Sequence, residues 1–248
     1  YNRNNSTKIN FQYRDYSEWL QEVDFSDQKR YWMSQLENLY TLELPCDYER
    51  PTKQQFYGAM IKKNIDETHI KKIATLSEYT EYMVFLAAYL VLLHKYSGQD
   101  DIVVGSPMSG RNNIYTENML GVFINTVVLR GHIKEEQTLN DLLINVRKIV
   151  LNAFENMDYP FEELVNSLNL YRDVSRNPIF NVMFTFHNQI VQKYELNGNI
   201  LEKYDYDNRT AKFDLELEIE PCQNQYCIKL TYCSSIFKKS TAIEILDN

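Results

Sequence analysis

The sequence predicts an α/β protein, a sandwich in which helices flank a mixed sheet, and three observations carry that reading. Apolar-periodic segments headed by Thr or Pro alternate with short β-branched runs such as IVVG, GVFINTVVLR and IFNVMFTF. No internal repeat is apparent, and the mixture of helices and strands implies a mixed sheet. The 248 residues are 44% hydrophobic with only 7 Gly and 6 Pro, the composition of an ordered chain long enough to bury a sizeable core.

The opening YNRNNSTKIN is polar and aperiodic, so residues 1–12 read as a linker or cut end and structure is expected from Tyr13 onward. From Asp27 to Leu39, Tyr31, Met33, Leu36 and Leu39 are set among charges as an amphipathic helix, and LELPCDYERP follows as an extended connector. FYGAMIKKNI reads as a strand, after which Asp66 or Thr68 can cap a helix toward Tyr79. Between Thr80 and Tyr96 apolar residues cover nearly every face, which predicts a central buried helix stopped by Gly98. Asp100 and Asp101 turn the chain into the strand IVVG, and PMSGRNN is expected to leave it as a loop. Next come the strand MLGVFINTVVLR, ending near Ile133, and a long helix capped by Thr138 and running to about Met157. In MDYPFEELVNSL, Pro160 stands where a helix start loses nothing by a missing N–H, with Glu162 and Glu163 near the positive helix end. IFNVMFTFH, KFDLELEIE and YCIKLTYC complete the strands. Gln189–Arg209 between them reads as a long irregular arm, and Phe237–Asn248 as the start of a helix.

A net charge of -8 excludes the basic surfaces that nucleic acid or anionic membranes require. The longest apolar run, MVFLAAYLVLL, is too short to span a bilayer, and no signal segment opens the chain. Cys46, Cys222, Cys227 and Cys233 have no metal-ligand spacing and suit reduced thiols, which makes the cytoplasm the expected compartment. No Gly-rich phosphate loop and no nucleophile elbow occur. Asp100–Asp101 and Glu162–Glu163 are explained by a turn and a helix start. His69, His94, His132 and His187 are isolated from one another, so none has a partner in sequence that marks it as a base, and no metal site is expected.

Asn125 and Thr126 are the anomaly, a polar pair in the apolar run MLGVFINTVVLR. An unpaired buried amide costs about 1–3 kcal/mol. Three readings remain open: a strand end or bulge whose side chains bond nearby backbone, exposure on a wet sheet face, or a polar spot in a substrate channel.

Four stretches in order resemble motifs of the condensation domains of non-ribosomal peptide synthetases. YRDYSEWL carries Tyr13, Asp15 and Trp19; LGVFINTVVLR resembles the Gly-x-Phe-(Val/Ile)-Asn-Thr motif; NMDYPFEELV carries Tyr159, Pro160 and Phe161; RDVSRNPIF carries Arg172, Asp173, Arg176 and Asn177. GSPMSGR also matches the family's loop. The family's His-His-x-x-x-Asp-Gly motif has no counterpart here, since no two His are adjacent. The resemblance therefore implies that residues 13–248 are the C-terminal lobe of a two-lobed chloramphenicol-acetyltransferase-like fold, without the catalytic histidine.

In that family the intact domain joins a donor acyl or peptidyl thioester to an acceptor amine. Both substrates ride on phosphopantetheine, delivered by carrier proteins beside an adenylation domain, and no cofactor is bound directly. The resemblance implies a floor loop at about 105–123 and a latch arm at about 189–214. Ser109, Gly110, Arg111, Phe123, Asn125 and Thr126 would face the tunnel or the other lobe, with Arg111 pairing the Asp of the absent motif. Tyr13, Asp15, Trp19, Tyr159, Pro160, Phe161, Arg172, Asp173, Arg176 and Asn177 are expected to be structural. The lobe alone should be inactive. A non-catalytic module that docks carrier proteins and a stand-alone acyltransferase relative are the competing readings.

Overall fold

The computed structural model describes residues 11–77, 79–111, 113–170, 173–188, 194–196, 198–201 and 209–248. Its main sheet has six strands in the order β1-β8-β7-β4-β2-β3. These are β1 Gly58–Asp66, β2 Asp101–Ser109, β3 Ile124–His132, β4 Val182–Phe186, β7 Leu215–Cys222 and β8 Gln225–Cys233. β4 runs parallel to both β2 and β7, whereas β1–β8, β7–β8 and β2–β3 are antiparallel. The mixed sheet with flanking helices agrees with the sequence reading.

Helix α4, Glu81–Ser97, is the hub of the core. Thr80 accepts the Met83 amide at its start, and Gly98 ends it at φ 68°, a left-handed conformation that costs glycine least. Phe85, Leu86, Tyr89, Leu90 and Leu93 are all buried, which explains the absence of a polar face in the sequence. α6, Leu139–Glu155, lies beside it and buries Leu142, Leu143, Val146, Val150 and Ala153. Thr138 and Asp141 form a reciprocal capping box at its start. Each fully buried Leu or Phe contributes about 1.5–3 kcal/mol. No helix among the described residues is long and apolar enough to cross a membrane.

The remaining helices are α1 Tyr13–Glu22, α2 Ser26–Gln35, α3 Thr68–Ser77, α5 Ile114–Glu117, α7 Phe161–Ser167 and α8 Lys239–Asp247. The Asp66 carboxylate caps α3 by accepting the Thr68 amide at 2.7 Å.

Several expectations change. α2 stops at Gln35 and not near Leu39, because Asn38 takes φ 52° and the turn's carbonyls are held elsewhere. Leu36, just past its end, is buried as expected, but within the helix Trp32 is buried in place of Met33, and Trp32 Nε1 donates to the Asn156 carbonyl at 2.9 Å. β2 continues through Pro107, Met108 and Ser109, residues expected in a loop, because β3 keeps its register there to Ser109↔Ile124. β4 is registered with β2 only at Gly105, so at Pro107 the strand is paired on one side, where proline is tolerated. The loop that follows β2 accordingly starts at Gly110. The arm expected to lack strands contains a short hairpin, β5 Tyr194–Leu196 and β6 Asn199–Leu201. Half of the expected latch, and Arg172, lie outside the described residues.

Candidate functional site

Three motif segments meet at one corner of the molecule: α1, the loop from Gly110 to Phe123, and the turn from Asn156 to Phe161. Asn125, at the start of β3, fastens the third to the second. Its Nδ2 donates to the carbonyls of Met157 at 2.6 Å and Tyr159 at 2.7 Å. Its Oδ1 accepts the amides of Phe161 at 3.3 Å and Thr126 at 2.9 Å. The amide thus spends both donors and both acceptor positions on backbone, the first of the three alternatives left by the sequence. Tyr159 is buried against Phe25, Pro160 precedes the first turn of α7, and Phe161 packs on Phe180 with ring centres 5.6 Å apart. Thr126 stands opposite Pro107 in the ladder and is half-buried.

Arg111 holds the loop from inside. Its guanidinium donates to the carbonyls of Thr116, Met119 (2.8 Å) and Gly121 (3.2 Å) and lies 4.3 Å over the Phe123 ring. It therefore closes the C-terminal end of α5, and an ion pair to another chain would be an addition to these bonds. The Gly110 amide bonds the Phe123 carbonyl at 2.8 Å, so close that a Cβ at 110 has no room. Ser109 is exposed beside it.

α1 docks on this loop through rings spaced three residues apart. Tyr13 and Tyr16 lie 5.3 and 4.8 Å from Phe123, and Trp19 follows Tyr16 at 5.7 Å. Tyr13 also occupies the space a side chain at Gly121 would need. Between α1, α5 and the 156–158 turn a cleft of about 610 Å³ opens, lined by Phe11, Tyr16, Trp19, Tyr115 and Met119, with Asp15 and Asp158. Asp15 Oδ2 accepts the Gln12 amide at 2.8 Å and so also caps α1. The motif YRDYSEWL already held Tyr13, Asp15, Tyr16 and Trp19, but not the contact of Tyr13 and Tyr16 with Phe123, which joins residues far apart in sequence.

Asp173 and Arg176 act as a clasp. Asp173 Oδ1 accepts the Ser175 amide and hydroxyl at 2.8 and 2.6 Å, and these bonds hold its carboxyl below the usual range. Arg176 reaches Asp173 at 3.0 Å and Glu43 at 2.6 Å, and Asn177 donates to the Lys212 carbonyl at 2.9 Å. Two further pairs had no local signal. Arg50 clamps Asp214 in two parallel bonds. Arg130 grips Asp101 across β2–β3 and the carbonyls of Gln35 and Glu37, both at 2.8 Å. Each joins residues far apart in sequence.

The family model described as Condensation domain matches residues 1–248. The chain belongs to the condensation-domain family. The condensation-domain chain is 42% identical over 243 residues to "Gramicidin S synthase 2" of Brevibacillus brevis, covering 94% of this chain and 5% of that protein. It is 36% identical over 241 residues to "Surfactin synthase subunit 1" of Bacillus subtilis (strain 168), covering 94% and 7%. It thus spans a small fraction of these relatives. Among solved structures it resembles holo-AB3403, "a four domain nonribosomal peptide synthetase bound to AMP and Glycine", at TM-score 0.85 and 21% identity over 94% of this chain and 19% of that one. The "X-domain from teicoplanin biosynthesis" matches at TM-score 0.85 and 20% identity, over 98% of this chain and 59% of the other. These two likenesses concern the fold.

The sheet of the condensation-domain chain has a second face, turned away from α4. Phe184 and Phe186 meet Tyr82 and Phe85 on the helix side, so alternation puts Thr185 and His187 on the other. That face carries Glu216, Glu218 and Glu220 of β7 and Lys229 of β8. His187 Nε2 is 2.9 Å from Glu218, and Lys229 Nζ is 2.7 Å from Glu220 and 3.7 Å from Glu218. His187, Glu218 and Glu220 hold ligand atoms within 4.8 Å of one another, a grouping the sequence reading did not find. The buried Lys229 ammonium already supplies the positive charge there. Two of the other His residues have separate partners: His94 Nδ1 meets the Gln99 carbonyl at 2.9 Å and His132 lies 3.7 Å from Asp101.

Proposed function

We propose that the chain is the C-terminal lobe of a condensation domain whose intact form makes an amide bond between two thioester-carried substrates. The donor is an acyl or peptidyl thioester, the acceptor an aminoacyl thioester, and carrier proteins deliver both on phosphopantetheine. An adenylation domain is the expected neighbour. One observation carries the lobe reading: Leu120, Val122 and Ile124 are 84%, 73% and 67% exposed, in the loop that Arg111 and Phe123 hold rigid. An ordered apolar row of this kind is a surface made for contact. The polar sheet face supports the same reading, since its Glu, Lys and His residues suit the wall of a wetted passage.

The chain's own part is to position and enclose. Arg111, bonded to three carbonyls, fixes the loop; Asn125 fixes the turn behind it. No adjacent His pair occurs in the sequence, so proton handling at the attacking amine belongs to the other lobe. The test is condensation between two loaded carrier proteins, with this chain alone and with the preceding half of the domain restored. Product only in the second case supports the proposal; amide formation by the chain alone overturns it.

A further inference from the structure

We propose that the apolar groove along the outer side of α4 is a docking site for polypeptide that follows Asn248 in a longer protein, held there as an amphipathic helix. The groove has a volume of about 620 Å³ and lies between α3, α4 and α6. Ala88, Val91 and Leu92 of α4 line it, with Ile70 and Ile73 of α3 and Leu139 of α6. Ala88 and Leu139 are exposed, and Val91 and Leu92 only half-buried. A helix that is apolar all round belongs in an interior, and α4 meets that rule on the side of the sheet but not here. The position of Asn248 selects the occupant. Asn248 itself lines the groove, where its Nδ2 donates to the Tyr96 hydroxyl at 3.0 Å near the C-terminal end of α4. α8 brings it there: Lys63 pairs with Asp247 at 2.7 Å, and Ala242 and Ile245 are buried. Leu246 also packs on the core, so residues 242, 245 and 246 set a helical apolar stripe that is still running where the chain meets the groove. The Asn248 amide continues the helical bond pattern to the Glu244 carbonyl at 3.2 Å. From Tyr96 back to Val84 the α4 side of the groove is about 18 Å long, a distance that about twelve helical residues cover. A segment tethered at Asn248 meets the groove at high effective concentration, an advantage that a second copy or a separate protein lacks. The chain covers 5% and 7% of two curated relatives, which therefore have polypeptide for such a segment. The proposal does not rest on the lobe reading.

The experiment compares the 248-residue chain with the same chain extended by about thirty further residues of its reading frame, more than the groove holds as helix. Ala88→Cys places a thiol in the groove, and its alkylation by iodoacetamide is followed by peptide mass spectrometry, with the exposed Cys46 as internal reference. The expected result is alkylation of the new thiol slowed by about tenfold in the extended protein, with Cys46 unchanged. Ala88→Glu should leave the melting temperature of the 248-residue chain nearly unchanged and lower that of the extended protein by about 2–4 °C. Equal alkylation in the two proteins overturns the proposal, as does a new thiol already shielded in the 248-residue chain. Shielding there that grows with protein concentration assigns the groove to a second copy, and shielding independent of concentration assigns it to the chain's own residues. Hydrogen exchange on the unaltered extended protein decides the matter even where a variant fails to fold. Amides of the added segment slowed by about tenfold support docking, and exchange at the rate of a free peptide overturns it.

Discussion

Asn125→Asp is the sharpest probe of the corner on which the motifs converge. The substitution keeps the side chain's shape and its accepting oxygen, but turns two donors into an oxygen that faces the carbonyls of Met157 and Tyr159. Two bonds worth about 0.5–1.5 kcal/mol each are lost, and the carbonyls left unpaired add about 1–3 kcal/mol each. The expected loss at pH 8 is roughly 3–9 kcal/mol, a large part of the roughly 5–15 kcal/mol that stabilises a typical domain. Asn125→Ala adds no charge but also leaves the amides of Phe161 and Thr126 without their acceptor, so it should cost a comparable amount, without adding a dependence on pH. The acid form of the new Asp can donate one bond, so its pKa must rise on folding. The penalty is therefore relieved at low pH and reaches its full size as pH climbs through the folded pKa. Urea unfolding followed by circular dichroism at pH 5.5 and pH 8 measures both effects. An Asp variant as stable as the parent at pH 8, or one destabilised equally at pH 5.5 and pH 8, refutes the backbone role assigned to Asn125.

Three further outcomes are expected. Gly105→Ala drives a methyl into the Phe180 ring and should destabilise by about 1–3 kcal/mol in the same assay, with partial recovery when Phe180→Leu is added. Arg50→Met leaves Asp214, whose side chain is 10% exposed, without its partner and should cost about 3–5 kcal/mol, more than the double change Arg50→Met with Asp214→Leu. Burial, reinforced by Glu218, holds the Glu216 carboxyl above the usual range, so its contribution is favourable at low pH and is lost as pH rises through the folded pKa. Glu216→Gln should therefore raise the melting temperature at pH 7 and have little effect near pH 4; equal effects at the two pH values exclude the assignment.

The fold was legible wherever a local rule acted alone. Thr80, Gly98 and Thr138 end their helices as capping chemistry requires, and the alternation of LELEIE and YCIKLTYC predicted β7 and β8. Pro107 misled, because its cost depends on whether a neighbouring strand is present, which only the three-dimensional register reveals. Asn125 was marked as anomalous by its setting, yet three of its four partners lie more than thirty residues away and no local pattern names them. The pairs Arg50–Asp214 and Arg130–Asp101 were invisible for the same reason. Family motifs drew attention to Tyr13 and Trp19, whereas the cleft between them and α5 depended on how the loop folds back.

β1 takes its place at the edge of the sheet by pairing with β8, Gly58 against Cys233 and Asp66 against Gln225. β1 thus waits for β8. During synthesis its backbone donors and acceptors have no ladder until β8 has emerged, and contacts so distant in sequence form slowly. Ribosomal pausing within the codons for residues 66–225 should prolong the life of an unpaired, aggregation-prone edge, whereas pausing after residue 233 should not.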